Sequence, residues 1–465
     1  MSELRVITTQ GDTTTLKVTE VDVFQSSLRG ALLRPGDKGY DEVRTVHNGM
    51  INRRPALIAR CAGAADVLAC LRFARQHNVL VSVRGGGHGV AGAAVCEGGL
   101  MMDLTPMKSV HVHPHERTVR ADAGITWGEF DHETQVFGLA TTGGTVRPTG
   151  IAGLTLGGGH GFLMRRYGLA CDNLLAVDLV TADGRWLRAS DAEHAELFWG
   201  LRGGGGNFGV ATSLTYRLHP VATMLAGMVL YPLSQATAFL KLYREVTSTA
   251  PDELGSLVAL GTLPDGTRAA VLLVGYTGPL AEGEKLLRPL REFGPPLADQ
   301  IGPSPYIALQ SIGEAFNPIG HRNYQKTNYL RALSDEAIEI MVEHYARVPA
   351  PLTHIVIEHM GGAVGRMDRS ATAYNYRDAQ YNFLIVGIWS DPAEDAVQIA
   401  WVRSLWQALQ PFSSGRIYVN YESDVSPDQL QAAFGAASYE RLVALKNTYD
   451  PTNLFRLNQN IKPTV

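Results

Sequence analysis

Cysteine is scarce in this sequence. The four present in 465 residues, Cys61, Cys70, Cys96 and Cys171, include no CxxC pair, which argues against a zinc site and against a disulfide framework. All four read as small buried hydrophobes. The run His111-Val112-His113-Pro114-His115 is broken by Pro114 and has no carboxylate or thiolate at ligand spacing, so no metal is expected there. An excess of basic charge is also missing. Lys and Arg number 41 against 45 Asp and Glu, a formal net charge of −4, and no basic run occurs, which argues against nucleic acid as a partner. No apolar run is long enough to span a bilayer, and the polar residues that follow Met1–Arg5 contain no apolar signal core, so a soluble, cytoplasmic chain with no membrane partner is expected.

Glycine, by contrast, is abundant. There are 49 in 465 residues, above the ordinary usage of about 7%, and they concentrate in three clusters. In Val81–Gly89 a β-branched run enters Gly85-Gly86-Gly87-His88-Gly89. Glycines around one histidine permit positive φ and let backbone N–H groups face an anion such as a pyrophosphate. The second cluster is Gly157-Gly158-Gly159-His160-Gly161, and the third runs from Gly203 to Gly209. Three such loops can enclose one long cofactor. Both Gly87–Gly92 and Gly204–Gly209 fit GxGxxG, but neither opens a helix: small residues and further glycines follow the first, and the alternating strand Val210–Leu218 follows the second. A nicotinamide dinucleotide fingerprint needs that helix.

Length predicts more than one core. Residues 1–20 read as loosely ordered, with a helix near Val21–Leu28. The run Ala56–Cys61, a helix over Ala65–Gln76 stopped at Asn78, and the strand Val79–Val83 form a β-α-β unit. Short strands at Leu100–Leu104, Ser109–His113 and Thr118–Ala121 precede a helix from Thr126 to Phe137, and Leu174–Thr181 is a further strand. After about residue 216 the clusters end, and strands such as Ala269–Gly275, Thr353–Met360 and Phe383–Trp389 alternate with helices. One helix is signed by Asp391 as N-cap, Pro392, Glu394 closing a capping box, and an apolar stripe of Val397, Ala400, Leu405 and Leu409. Near the end, Ser426-Pro427-Asp428-Gln429 opens another helix, a further one runs near Tyr439–Asn447, and the polar terminus is expected to return to the first domain. The expected organisation is α+β: a discontinuous first domain of residues 1–215 with 416–465, and a substrate domain of residues 216–415 built on an antiparallel sheet covered by helices.

Four segments in order, Arg84–Gly89, Gly153–Gly161 with Arg165–Leu169 and Asp172–Leu174, Arg202–Val210, and Tyr449–Asn460, carry a resemblance that spans nearly the whole chain. They resemble FAD-linked oxidases of the vanillyl-alcohol oxidase superfamily, in the berberine bridge enzyme-like branch, and are similar to bacterial biosynthetic flavin oxidases such as the enterocin-pathway enzyme. The resemblance implies a two-subdomain, PCMH-type FAD-binding domain. It implies contacts to the cofactor from Arg84, Gly85, Gly86, Gly87, His88, Gly89, Thr149, Gly150, Gly153, Leu154, Gly157, Gly158, Gly161, Val210, Asn458 and Asn460, with a covalent bond from His88 to the flavin 8α-methyl carbon. Many relatives add a cysteinyl tether; the matching position here is Val146, so no second tether is expected, and Cys171 lies in a different part of the pattern. Three residues beyond the tether position, Thr149 is compact where a bulky residue would obstruct dioxygen.

The substrate-side candidates come from the second half. Strand alternation places His354, Val356, Glu358 and Met360 on one face, and burial among apolar neighbours would raise the Glu358 carboxyl into the range of a base. An ion pair with an arginine is the competing reading. Period two in Arg416–Tyr421 places Tyr418 beside Asn420, matching a Tyr-x-Asn element of relatives, and Lys326 is a further candidate. The activity the resemblance implies is hydride removal from a carbon bearing oxygen or nitrogen, with electrons passed to dioxygen, in secondary metabolism. Alternatives are a flavin-dependent oxygenase or oxidative cyclase, a dehydrogenase using another acceptor, or a nucleotide-binding module without turnover. Substrate identity and oligomeric state are not legible.

Overall fold

The computed structural model describes residues 3–465 as an α+β molecule built on three principal sheets. The first has four strands in the order Leu32–Leu33, Leu57–Arg60, Leu100–Asp103, Val81–Arg84, the last three mutually parallel. The helix Ala64–His77 crosses over between Leu57–Arg60 and Val81–Arg84, burying Val67, Cys70, Leu71 and Ala74, and ends at Asn78 with φ 54°. The second sheet is antiparallel, in the order Trp186–Ser190, Leu174–Val180, Val210–Arg217, Thr118–Asp122, Val110–His113. Its neighbouring helix, Trp127–Gln135, begins with a capping box between Thr126 and Glu129. Both sheets share one apolar core, which also takes in Leu430, Phe434, Leu442, Leu445, Leu454, Phe455 and Ile461 from the end of the chain.

The third sheet is antiparallel throughout, and its central strands run Thr223–Pro232, Arg268–Tyr276, Leu254–Thr262, His354–His359, Tyr381–Trp389, Arg322–Leu330. Strand alternation gives it two distinct faces. Val258, Leu260, Ile355, Ile357, Phe383 and Ile385 pack on one side with Phe239, Leu240, Ile338, Met341, Val402 and Leu405 of the covering helices. Each such side chain contributes roughly 1.5–3 kcal/mol by leaving water, so this face fixes the sheet. The opposite face presents Leu257, Ala259, Val271, Leu273, Val356, Leu384 and Val386 toward the glycine loops.

Three local expectations need correction. Residues 3–20 are ordered: Glu3–Ile7 and Thr13–Lys17 form a hairpin, and Val18–Ser26 is a helix. Val6 and Leu16 anchor it in the core, and Gly11 supplies φ +89° at the turn. Asp391 caps a 3-10 turn, Pro392–Glu394, rather than the helix Asp395–Ala408, and Glu394 binds Gln398 instead of closing a capping box. The buried face is accordingly Gln398, Val402, Leu405 and Leu409, so Leu405 and Leu409 of the expected stripe are buried while Val397 is 62% exposed and Ala400 is exposed too. Finally, Arg416–Tyr421 is not a strand: Val419–Tyr421 is a 3-10 turn, which brings Tyr418 Oη within 2.9 Å of Asn420 Nδ2.

Candidate active site

The strand Val81–Arg84 delivers the first glycine cluster to a cavity of about 650 Å³ that runs between the two halves of the molecule. Gly87 has φ +68°, and a Cβ on Gly86 would lie 2.4 Å from the Gly150 nitrogen, so the two loops meet backbone to backbone. Gly204–Asn207 and Phe455–Gln459 line the far end. Asn458 stitches these segments together by donating to the Gly206 and Phe455 carbonyls, at 3.0 and 3.1 Å.

His88 lines this cavity, yet its Nε2 has no hydrogen-bond partner and its ring stacks on His47 at 4.0 Å. Burial, with a smaller effect from His47, pushes its pKa down to about 3, so the imidazole is uncharged and its nitrogen lone pair is available. An orphaned buried ring nitrogen beside a loop too tight for side chains fits a long cofactor that lies along backbone N–H donors and bonds to that ring. Val146, Thr149, Gly150, Gly153 and Leu154 line the same cavity, and Cys171 lies elsewhere, fully buried, its thiol held protonated by burial.

At the other end, the sheet face presents Glu358. Its Oε2 accepts from His160 Nδ1 at 2.9 Å and Asn382 Nδ2 at 2.8 Å, and its Oε1 accepts from Tyr421 Oη at 2.9 Å. Burial raises this carboxyl, but the charge and hydrogen bond of His160, then Asn382 and Tyr421, outweigh it and hold the pKa below the usual carboxylate value. The expected upward shift is therefore reversed, and a histidine, not an arginine, is the partner. Tyr418 Oη accepts from Gly159 N at 2.8 Å and from Asn420 Nδ2 at 2.9 Å, while burial raises its phenol so that it stays protonated.

Several expected site residues sit behind the cavity wall rather than on it. The Arg84 guanidinium turns away to the Val43 carbonyl, and Val210 is buried within its strand. Gly157 packs against Asn420, Gly158 against Tyr374 and Tyr418, and Gly161 against the Gly143 carbonyl. Asn460 is also off the wall, although its Oδ1 is buried without a partner. Lys326 projects from the other side of its strand, where it bonds Glu422 Oε2 at 2.8 Å and pairs with Asp424; its neighbour Gln325 faces the cavity instead.

Residue reading missed His160, Tyr374, Asn382, Tyr421 and Glu422. Of these only His160 carries a local signal, a histidine inside a glycine cluster. Glu422 also lines the cavity, with its carboxyl raised to about 7 by burial against the opposing pull of Lys326. Among the described residues, no three His, Cys, Asp or Glu side chains converge to hold a metal ion, and no helix is long and apolar enough to cross a membrane.

Known proteins agree with this architecture. Residues 55–190 match the FAD binding domain family and residues 417–462 match the berberine and berberine-like family. The chain is 31% identical to an FAD-linked oxidoreductase of Dictyostelium discoideum, over 95% of this chain and 97% of that one. It is 33% identical to the (R)-6-hydroxynicotine oxidase of Paenarthrobacter nicotinovorans, over 94% and 97%. The crystal structure of 6-hydroxy-D-nicotine oxidase from Arthrobacter nicotinovorans superimposes with a TM-score of 0.86 at 31% identity, covering 94% of this chain and 98% of that one. With a glycine-lined cleft, an antiparallel sheet facing it and relatives over nearly its full length, the chain belongs to the FAD-linked oxidoreductases of the berberine bridge enzyme-like branch of the vanillyl-alcohol oxidase superfamily.

Proposed function

We propose that this enzyme is an oxidase that removes hydride from a carbon bearing oxygen or nitrogen on a small, largely apolar molecule, with FAD tethered through His88 alone and dioxygen as the electron acceptor. The observation that carries this reading is the single cavity that leads from the unpartnered His88 ring, past Thr149, to Glu358 and Tyr418. Residues 1–215 with 416–465 hold the cofactor, and residues 216–415 supply the substrate face. Bound FAD supplies the hydride acceptor and the reductant for dioxygen.

The chain's own groups orient the substrate and move its proton. Glu358 Oε1 accepts only one hydrogen bond, from Tyr421, so it retains acceptor capacity for the O–H or N–H proton of the substrate. Tyr418 Oη already accepts two hydrogen bonds, which leaves its own proton to donate forward. Asn420 orients that phenol. The wall formed by Leu257, Val271, Leu273, Val356, Leu384 and Val386 offers no hydrogen bonds and favours an apolar body over a free sugar.

A peroxide-release screen across apolar cyclic alcohols, secondary amines and free sugars tests the activity. Release with an alcohol or amine is expected, and release with sugars alone would sink the apolar assignment. Denatured protein is expected to keep its flavin fluorescence on a gel, and His88→Ala to lose it. A Cys171→Ala variant that altered the linkage would contradict the single tether.

A further inference from the structure

His160 is 1% exposed and is in contact with Glu358, Tyr374, Tyr418 and Tyr421. Its Nδ1 lies 2.9 Å from Glu358 Oε2 and its Nε2 3.0 Å from Tyr374 Oη, which is in turn 2.7 Å from Tyr329 Oη. The ring stacks on Tyr418 at 3.9 Å with an interplanar angle of 3°. Its neighbour Gly159 donates the backbone hydrogen bond that Tyr418 Oη accepts. One dipeptide therefore holds both the carboxylate and the phenol.

The remaining surroundings of Glu358 leave His160 as its sole basic partner. Asn382 comes from the adjacent strand and Tyr421 from the 3-10 turn, while Tyr418, Tyr374, Tyr329 and Tyr243 are the other titratable groups near it. Arg165 shares a small void with Glu358, but its hydrogen bonds go to His359, Met360 and Ala250.

We propose that His160 is the positioning residue of the site: it holds Glu358 as an oriented carboxylate and, through its stack on Tyr418, fixes the spacing between proton acceptor and phenol donor. The inference rests on the reading of Glu358 as the group that meets the substrate. A buried carboxylate is costly without a hydrogen-bonded partner, and His160 does not itself line the cavity, so the partner does not compete with the substrate for space. The planar stack transmits any displacement of the imidazole directly to the phenol ring.

The test is a carboxyl titration followed by ¹³C NMR in glutamate-labelled holoenzyme, the Glu358 resonance being assigned by its loss in Glu358→Gln. The wild-type midpoint is expected below the ordinary value of about 4.3. His160→Phe keeps a flat ring against Tyr418 but deletes the donor, and should raise the proton affinity of Glu358 at least tenfold. His160→Asn places an amide nitrogen where Nδ1 lies and should return it to within threefold of wild type. A change under twofold in flavin-retaining His160→Phe would overturn the proposal. If His160→Phe does not fold, His160→Gln, whose amide reaches the Tyr374 side only, is judged by the same criterion. The acid limb of anaerobic flavin reduction, measured with a substrate from the peroxide screen, should move in parallel. A limb that stays in place while the resonance moves retains the positioning role and removes Glu358 as the base.

Discussion

At the scale of single residues, similar letters acquire different chemistry from what the fold brings to them. His88 and His160 each sit among glycines and are indistinguishable by local sequence. A strand almost two hundred residues later supplies Glu358 to His160, whereas His88 meets only the ring of His47 and keeps an unpartnered nitrogen. The tether expected of His88 rests on the family resemblance alone, and nothing local in the sequence marks His160 as the partner of Glu358. Strand alternation was enough to aim Glu358 into the site, but the direction of its shift depends on donors from the second glycine cluster, Asn382 and Tyr421. If Glu358 is the proton acceptor proposed above, Glu358→Gln is expected to slow anaerobic flavin reduction by ~10²–10⁴-fold. Tyr418→Phe should slow the same step while flavin content stays intact, and an effect under threefold in both variants would exclude them. Thr149, partly buried on the cavity wall, is argued to leave dioxygen a path. Stopped-flow measurement should find rapid reoxidation in wild type, slower reoxidation in Thr149→Leu, and the same rate of reduction in both. Sluggish wild-type reoxidation would leave a dehydrogenase.

At the scale of elements, the caps and the period-two strands were readable because both are local. The helix Ala64–His77 ends on left-handed Asn78, and Ser426 and Gln429 form a capping box, as their spacing predicts. The helix Asp395–Ala408 departs from the expected stripe only in its first half: the chain winds as a 3-10 turn at Pro392–Glu394, so counting from Asp391 at 3.6 residues per turn selects exposed Val397 and Ala400 there, while Leu405 and Leu409 are buried as their spacing predicts. The consequence is measurable in urea. Leu405→Ala opens the core against the sheet and should cost ~2–5 kcal/mol, whereas Val397→Ala, at an exposed position, should stay within about 0.5 kcal/mol of wild type. Equal losses would restore the stripe expected from sequence. The 3-10 turn at Val419–Tyr421 is a second case, since the contact between Tyr418 and Asn420 comes from the turn and not from strand pairing.

At the scale of the whole molecule, buried polar groups clamp the second glycine segment to the region beyond residue 216. Arg377 binds Asp172 through both nitrogens, at 2.9 and 2.7 Å, with each side chain 1% exposed. Arg377→Met leaves that carboxylate unpaired and should cost ~3–5 kcal/mol, part of which an added Asp172→Asn should recover in thermal unfolding. Arg165 makes a second clamp, with Nη1 3.1 Å from His359 Nε2. Burial, reinforced by Arg165, holds His359 down to about 3. The unfolded chain's histidine gains its proton near pH 6.5, so between that pH and about 3 the unfolded state binds more protons and stability falls as the pH falls. His359→Gln should flatten the decline of Tm between pH 7 and 5; an unchanged slope would assign the acid sensitivity to other groups. None of these clamps can be read from sequence, because each joins segments that only the finished fold brings together.

The two-faced sheet has a consequence for how such an enzyme changes over time. Along His354–His359, Ile355 and Ile357 belong to the helix-backed core while His354, Val356 and Glu358 face the cavity, and the neighbouring strands follow the same alternation. The helix-backed core and the cavity wall are thus written in alternate letters of the same strands. Replacements at Val356, Leu384 or Leu273 can reshape what the pocket accepts while the letters between them keep the sheet seated on its helices. A lineage can exchange one substrate for another by editing every second residue, without having to relearn how to fold.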